Sequence, residues 1–228
     1  SGPPPAGMHA VLADGPRHGP PAIAPIDYLR FPAHNLWSGP GATLTFLIKR
    51  RPAANMVVNI AHRRARQRLR YDKGLIYDVA IDYEPLDGQT AHVTLGADCP
   101  PEQLDAVRDA LLAVLDELVA DSPTREELDV EINGFVRGFD DRDSTLGFLD
   151  ASVMDILFGE EPHTAQSMYE RRRAVTPAEA ADVLRDGLES LLVVAGGEPL
   201  PAGRVAPYPA WSSDEVQGRE HGPAGFFF

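Results

Sequence analysis

Leu69-Arg70-Tyr71-Asp72-Lys73-Gly74-Leu75-Ile76-Tyr77 decides how this chain reads. Upstream of it, Val57, Ile60, Ala61, Ala65 and Leu69 recur at helical spacing with arginines between them, which predicts an amphipathic helix over 54–72 ended by Gly74. Downstream, 76–83 and 90–96 are rich in β-forming residues. The Asp87-Gly88 pair between them is a turn signal, so the two runs are expected to form an antiparallel hairpin. The nine residues therefore cover a helix-to-strand corner, with an Arg at the helix end, a Tyr at the strand start and Gly74 between.

The same reading extends in both directions. Ala42 to Lys49 alternates like a strand, and Pro52 breaks it. Leu104, Val107, Leu111, Val114, Leu115 and Leu118 mark a long helix. Thr124-Arg125-Glu126-Glu127 has capping-box spacing and opens another helix, weakened by Gly134 and Gly138. Asp140-Asp141-Arg142-Asp143 reads as a polar break. Helices are then expected from Leu146 to Phe158, over 164–173, and from a second capping box at Thr176-Pro177-Ala178-Glu179. Leu191 to Ala195 is a last buried strand. Residues 1–40 are Pro- and Gly-rich and read as a lead-in, 41–200 as one domain, and 201–228, ending in Phe226-Phe227-Phe228, as an irregular tail. This order predicts an α+β fold of two layers, a mainly antiparallel sheet covered on one face by helices.

With 43% apolar and 24% charged residues, the 228-residue chain has the composition of an ordinary globular protein. No apolar run reaches membrane-spanning length and Ser1-Gly2-Pro3 opens without a basic, apolar leader. The expectation is a cytoplasmic protein with no membrane contact. A net charge of −13 disfavours nucleic acid. Between Lys49 and Lys73, however, nine basic residues face a single acid, leaving about −21 on the remainder. That basic helix is either answered by acidic helices of the same fold or is a wall for peptide carboxylates or an acidic partner.

Most catalytic classes find no support. No two of the seven histidines are three to five residues apart, so no metal site is expected in this chain. His62 on the helix and His92 on a strand remain the only pairing to weigh. Asp140, Asp141 and Asp143 lack the Gly and distal Glu of a calcium loop. Neither a nucleophile elbow nor a phosphate-binding glycine loop occurs. Asp78 and Asp82 could share a strand face, an arrangement usual for solvated acids. The lone Cys99 reads as a packed thiol.

Arg70 and Tyr77 remain as candidates. A guanidinium fork and a phenol suit a peptide carbonyl or a developing oxyanion, although a salt-bridged Arg and a core Tyr would be spelled the same way. The order of motifs distinguishes the two. Leu69-Arg70, three residues, Gly74-Leu75 and Tyr77 resemble the second homologous half of the pitrilysin and mitochondrial processing peptidase family. Thr124 to Leu128, Ala174 to Glu179 and Leu191 to Gly196 resemble that half's later landmarks.

The resemblance implies that two such halves close around a peptide. The partner half holds zinc through a His-x-x-Glu-His helix that this chain lacks. Arg70, Tyr77 and Gly74 would contribute to substrate binding, with Arg70 and Tyr77 also stabilising the oxyanion. The cofactor, zinc, and a homologous zinc-bearing partner are thus expected outside this chain, which by itself would be inactive. Two alternatives stand beside this reading. One is a noncatalytic scaffold that uses the basic face from Arg63 to Arg68 for association. The other is a small-molecule enzyme, whose sign would be a ligand pocket away from Tyr77.

Overall fold

The computed structural model describes residues 30–37, 39–138, 149, 152–201 and 203–207. They form the expected α+β layers. Strands β1 (Ala33–Leu36), β2 (Ala42–Lys49), β3 (Ala80–Pro85), β4 (Thr90–Ala97), β5 (Leu192–Ala195) and β6 (Ala206–Pro207) make one sheet in the order β3-β4-β2-β5-β1-β6. The pairs β3/β4, β4/β2 and β2/β5 are antiparallel, and β1 lies parallel to β5 and β6.

Period-two alternation decides which face of the sheet is covered. Leu44, Phe46 and Ile48 of β2 and Ala91, Val93 and Leu95 of β4 are buried, while Thr43, Thr45, Leu47, His92 and Thr94 between them are only partly covered. Onto the buried face pack α1 (Pro52–Arg66), α2 (Leu104–Asp121) and α5 (Pro177–Leu188). Met56, Val57 and Ile60 of α1, Leu111, Leu115 and Leu118 of α2 and Leu184 of α5 join Leu44, Ile48 and Leu95 in a single core. Each such side chain contributes roughly 1.5–3 kcal/mol by leaving water. Helices α3 (Arg125–Gly138) and α4 (Ala165–Ala174) pack against α1 from outside. No helix among the described residues is long and apolar enough to cross a membrane.

Local signals predicted several boundaries well. The Thr124 hydroxyl accepts from Glu127 N–H and the Thr176 hydroxyl from Glu179 N–H, both at 3.1 Å, as capping boxes require. The Asp87 carboxylate accepts from Gln89 and Thr90 N–H at 2.7 Å and closes the β3–β4 turn. The 152–157 stretch is helical and stops at Gly159, whose φ is +79°. The acidic run at 140–143 lies outside the described residues.

Three expectations need correction. The sheet takes in Ala33–Leu36 and Ala206–Pro207, which read as lead-in and tail. Short strands flanked by proline show no alternation and owe their state to pairing with the rest of the sheet. The first hairpin strand starts at Ala80, not Ile76, so Tyr77 stands in the loop before β3. Finally, α1 does not run unbroken to residue 72: after Arg66 it continues as a π-helical turn over Gln67–Asp72.

Candidate functional site

Pro52 opens α1, where its missing N–H is harmless, and the buried stripe from Ala53 to Ala65 seats the helix on the sheet. Leu69, fully buried, carries that anchoring into the π turn. The turn closes with Lys73 N–H donating to Arg68 O at 3.2 Å and Leu75 N–H to Leu69 O at 2.8 Å. Between these bonds the chain reverses at Gly74, with φ +61°, a conformation open to glycine at little cost. Gly74 is exposed, with open space where a Cβ would stand. The chain then runs back along α1, held by His62 Nε2 donating to Val79 O at 2.9 Å and by the Arg66–Asp78 ion pair at 3.0 Å.

This geometry projects the corner's side chains outward. Tyr77 is 84% exposed and Arg70 is half-buried. The Arg70 guanidinium lies 4.9 Å from the centre of the Tyr77 ring and 5.3 Å from that of Tyr71, and Arg66 lies 5.9 Å from Tyr71. Arg70 has no hydrogen bond or ion pair among the described residues, so its N–H donors are free for a ligand.

Its neighbours on the basic helix are otherwise engaged. Arg63 pairs with Glu131, Arg64 with Glu127 at 2.7 Å, and Arg68 with Glu117 at 2.7 Å. Further along, Lys49 pairs with Asp186 at 2.8 Å and Arg50 with Asp155. The positive run is thus largely answered from within by α2, α3 and α5, and the face from Arg63 to Arg68 is not a free cationic wall.

The other candidates separate. Asp78 precedes the strand and is bound to Arg66, so it shares no strand face with Asp82. His62 bonds Val79 O and His92 the Thr45 hydroxyl, so the two imidazoles serve different partners. His34, hidden in the lead-in, is buried in β1; its Nδ1 accepts from Leu200 N–H and its Nε2 donates to Ala195 O, both at 3.2 Å, and burial lowers its pKa. Cys99 is buried, which raises its pKa, as do Asp98 and Glu102.

Among the described residues no three His, Cys, Asp or Glu side chains gather as metal ligands, so the residues present do not fit a zinc ion. An open cavity of about 320 Å³ lies between β2 and the end of α5, lined by Phe31, Leu47, Lys49, Asp186 and Ser190 among others, away from Arg70 and Tyr77. Its serine hydroxyl is committed: Ser190 Oγ accepts from Leu47 N–H at 2.8 Å and donates to Gly187 O at 2.8 Å.

Sequence reasoning passed over Tyr71. Residues five apart, such as Arg66 and Tyr71, do not share a face of an α-helix, and only the π turn brings them together.

The family model for the peptidase M16 inactive domain matches residues 46–135, which include the whole corner. No curated protein matches the sequence. Among solved structures, a peptidase M16 inactive domain from Pseudomonas fluorescens superposes with a TM-score of 0.58 at 14% identity, over 74% of this chain and 43% of that one. A protease from Helicobacter pylori gives 0.55 at 12% identity, over 72% and 42%. The ferredoxin protease FusC, in complex with Arabidopsis ferredoxin, gives 0.51 at 17% identity, over 72% and 20%. At such identities the likeness is one of fold, and the chain spans less than half the length of each. Over residues 46–135, which contain Arg70 and Tyr77, the chain matches the peptidase M16 inactive-domain family and resembles the C-terminal type of pitrilysin half.

Proposed function

We propose that this domain is the non-zinc-binding half of a pitrilysin-like peptidase and offers Arg70 and Tyr77 to a peptide held between it and a zinc-bearing partner half. The observation that carries the reading is the pairing, on the same corner, of an exposed phenol with a guanidinium that has no ion pair among the described residues. Five N–H donors and one O–H can be shared between a peptide carbonyl and the oxyanion that forms when it is attacked. Arg70 supplies fixed positive charge, Tyr77 a neutral donor, and the Gly74 turn keeps both on one side. The zinc, expected in the partner, would supply the activated water. The FusC complex, which holds a whole protein, is in keeping with a peptide or protein substrate.

The scaffold alternative loses its specific support, since the arginines it needs for association are neutralised within the chain. The test is reconstitution with a polypeptide that carries His-x-x-Glu-His. The chain alone is expected to cleave no unstructured peptide and the pair to cleave it. Arg70→Ala or Tyr77→Phe should lower turnover about a hundredfold while co-purification of the two polypeptides persists. Proteolysis by the chain alone, or full turnover with both variants, overturns the reading.

A further inference from the structure

Arg70 is a long, half-exposed cation with no anionic partner among the described residues, and an untethered arginine at a surface samples many rotamers. A carboxylate partner would fix it but would also occupy the N–H edges through which a guanidinium recognises an oxygen. Aromatic rings act differently: they take the face of the guanidinium plane and leave its edges free. Arg70 has two, Tyr77 at 4.9 Å and Tyr71 at 5.3 Å.

Tyr71 is itself tied. Arg66 lies 5.9 Å from its ring, and the same Arg66 pairs with Asp78, the residue after Tyr77, at 3.0 Å. The contacts thus close a circuit, Arg70 to Tyr71 to Arg66 to Asp78 and back through Tyr77 to Arg70. Core packing does not account for it, because Tyr71 is 60% exposed and Tyr77 84%.

Resting on the proposed role of Arg70, we infer that Tyr71 is a positioning residue of the site: it orients the Arg70 guanidinium with its donors free, and the Arg66–Asp78 pair locks Tyr71 to the loop that carries Tyr77.

The test has two arms. In ¹⁵N spectra of the whole chain, the Arg70 Nε–Hε resonance, identified by its loss in Arg70→Ala, is displaced by the ring currents of its neighbours. Tyr71→Leu should move it toward the free-arginine position, and Tyr71→Phe, which keeps the ring, should leave it in place. In the reconstituted peptidase, Tyr71→Leu should lower kcat about two- to fivefold, the bias expected of an exposed cation–π contact, with Tyr71→Phe restoring it.

A resonance indifferent to Tyr71→Leu, or a Phe variant as damaging as Leu in either arm, overturns the inference. Full turnover with Arg70→Ala overturns the functional reading and with it the catalytic purpose of the circuit. The resonance arm still decides separately whether Tyr71 orients Arg70, so the two failures are told apart.

Discussion

Arg64 grips Glu127 with two donors, Nε to Oε1 at 2.7 Å and Nη2 to Oε2 at 2.8 Å, while the same carboxylate accepts Thr124 N–H at 2.7 Å. One side chain therefore caps α3 and fastens it to α1, the helix that leads into the corner of Arg70 and Tyr77. These bonds, the Arg64 contact first, hold the Glu127 pKa down to about 2 from an ordinary 4.5.

Acid titration should expose that grip. With the folded-state pKa depressed, the contribution is complete above pH 4.5 and is lost as pH falls from 4.5 toward 2. Its size is on the order of 2 kcal/mol, allowing for solvent screening of a partly exposed carboxylate. Denaturant unfolding of Glu127→Gln between pH 6 and 3 should show lower stability at pH 6 and a shallower loss on acidification. Parallel curves for variant and parent would refute the assignment.

His34 should act near neutrality and with the same sign. Burial favours its neutral ring, so its folded pKa lies below the unfolded 6.5. As pH drops below 6.5 the unfolded chain takes up the proton first, and stability falls. His34→Gln should flatten this part of the profile, and an NMR titration of the ring should give a midpoint below 6.5.

Neighbours in the π turn should respond oppositely to truncation. Leu69→Ala empties a fully buried site and should cost about 2–5 kcal/mol in chemical unfolding. Arg70→Ala removes a half-exposed side chain with two ring contacts and no ion pair among the described residues, and should cost about 1 kcal/mol. A large loss for Arg70→Ala would make it a structural residue.

Gly74→Ala isolates a backbone effect, since no atom lies within 4 Å of the added methyl. Its φ of +61° should make the substitution cost about 1 kcal/mol. Gly74→Asn, better suited to that conformation, should cost less, as thermal unfolding of the two variants would show.

How far the sequence could be read follows from the range of the forces involved. The capping boxes at Thr124 and Thr176 and the Asp87 turn depend on residues within three positions and were legible. β1 was not: Ala33-His34-Asn35-Leu36 is a strand because Leu192 to Ala195 lies beside it. Ile76 to Val79 alternates like a strand but is a loop, since Arg66 and His62 hold it against α1. The excess of arginine was plain, but its answer by Glu117, Glu127 and Glu131 was a matter of tertiary pairing. Arg70, Gly74 and Tyr77 stood out as a pattern, whereas Tyr71 enters only through a turn with no local signature.

That turn makes spacing itself a requirement of the corner. Each residue of an ordinary α-helix advances the direction of its side chain by about 100°, and the wider winding at Gln67–Asp72 accommodates a residue beyond what a regular helix would use. Removing Gln67 would let the coil tighten and swing Arg70 away from Tyr77 with Arg70, Tyr71 and Tyr77 all still present. A single codon deletion there would therefore dismantle the Arg70–Tyr77 pairing while leaving the fold and its composition almost untouched.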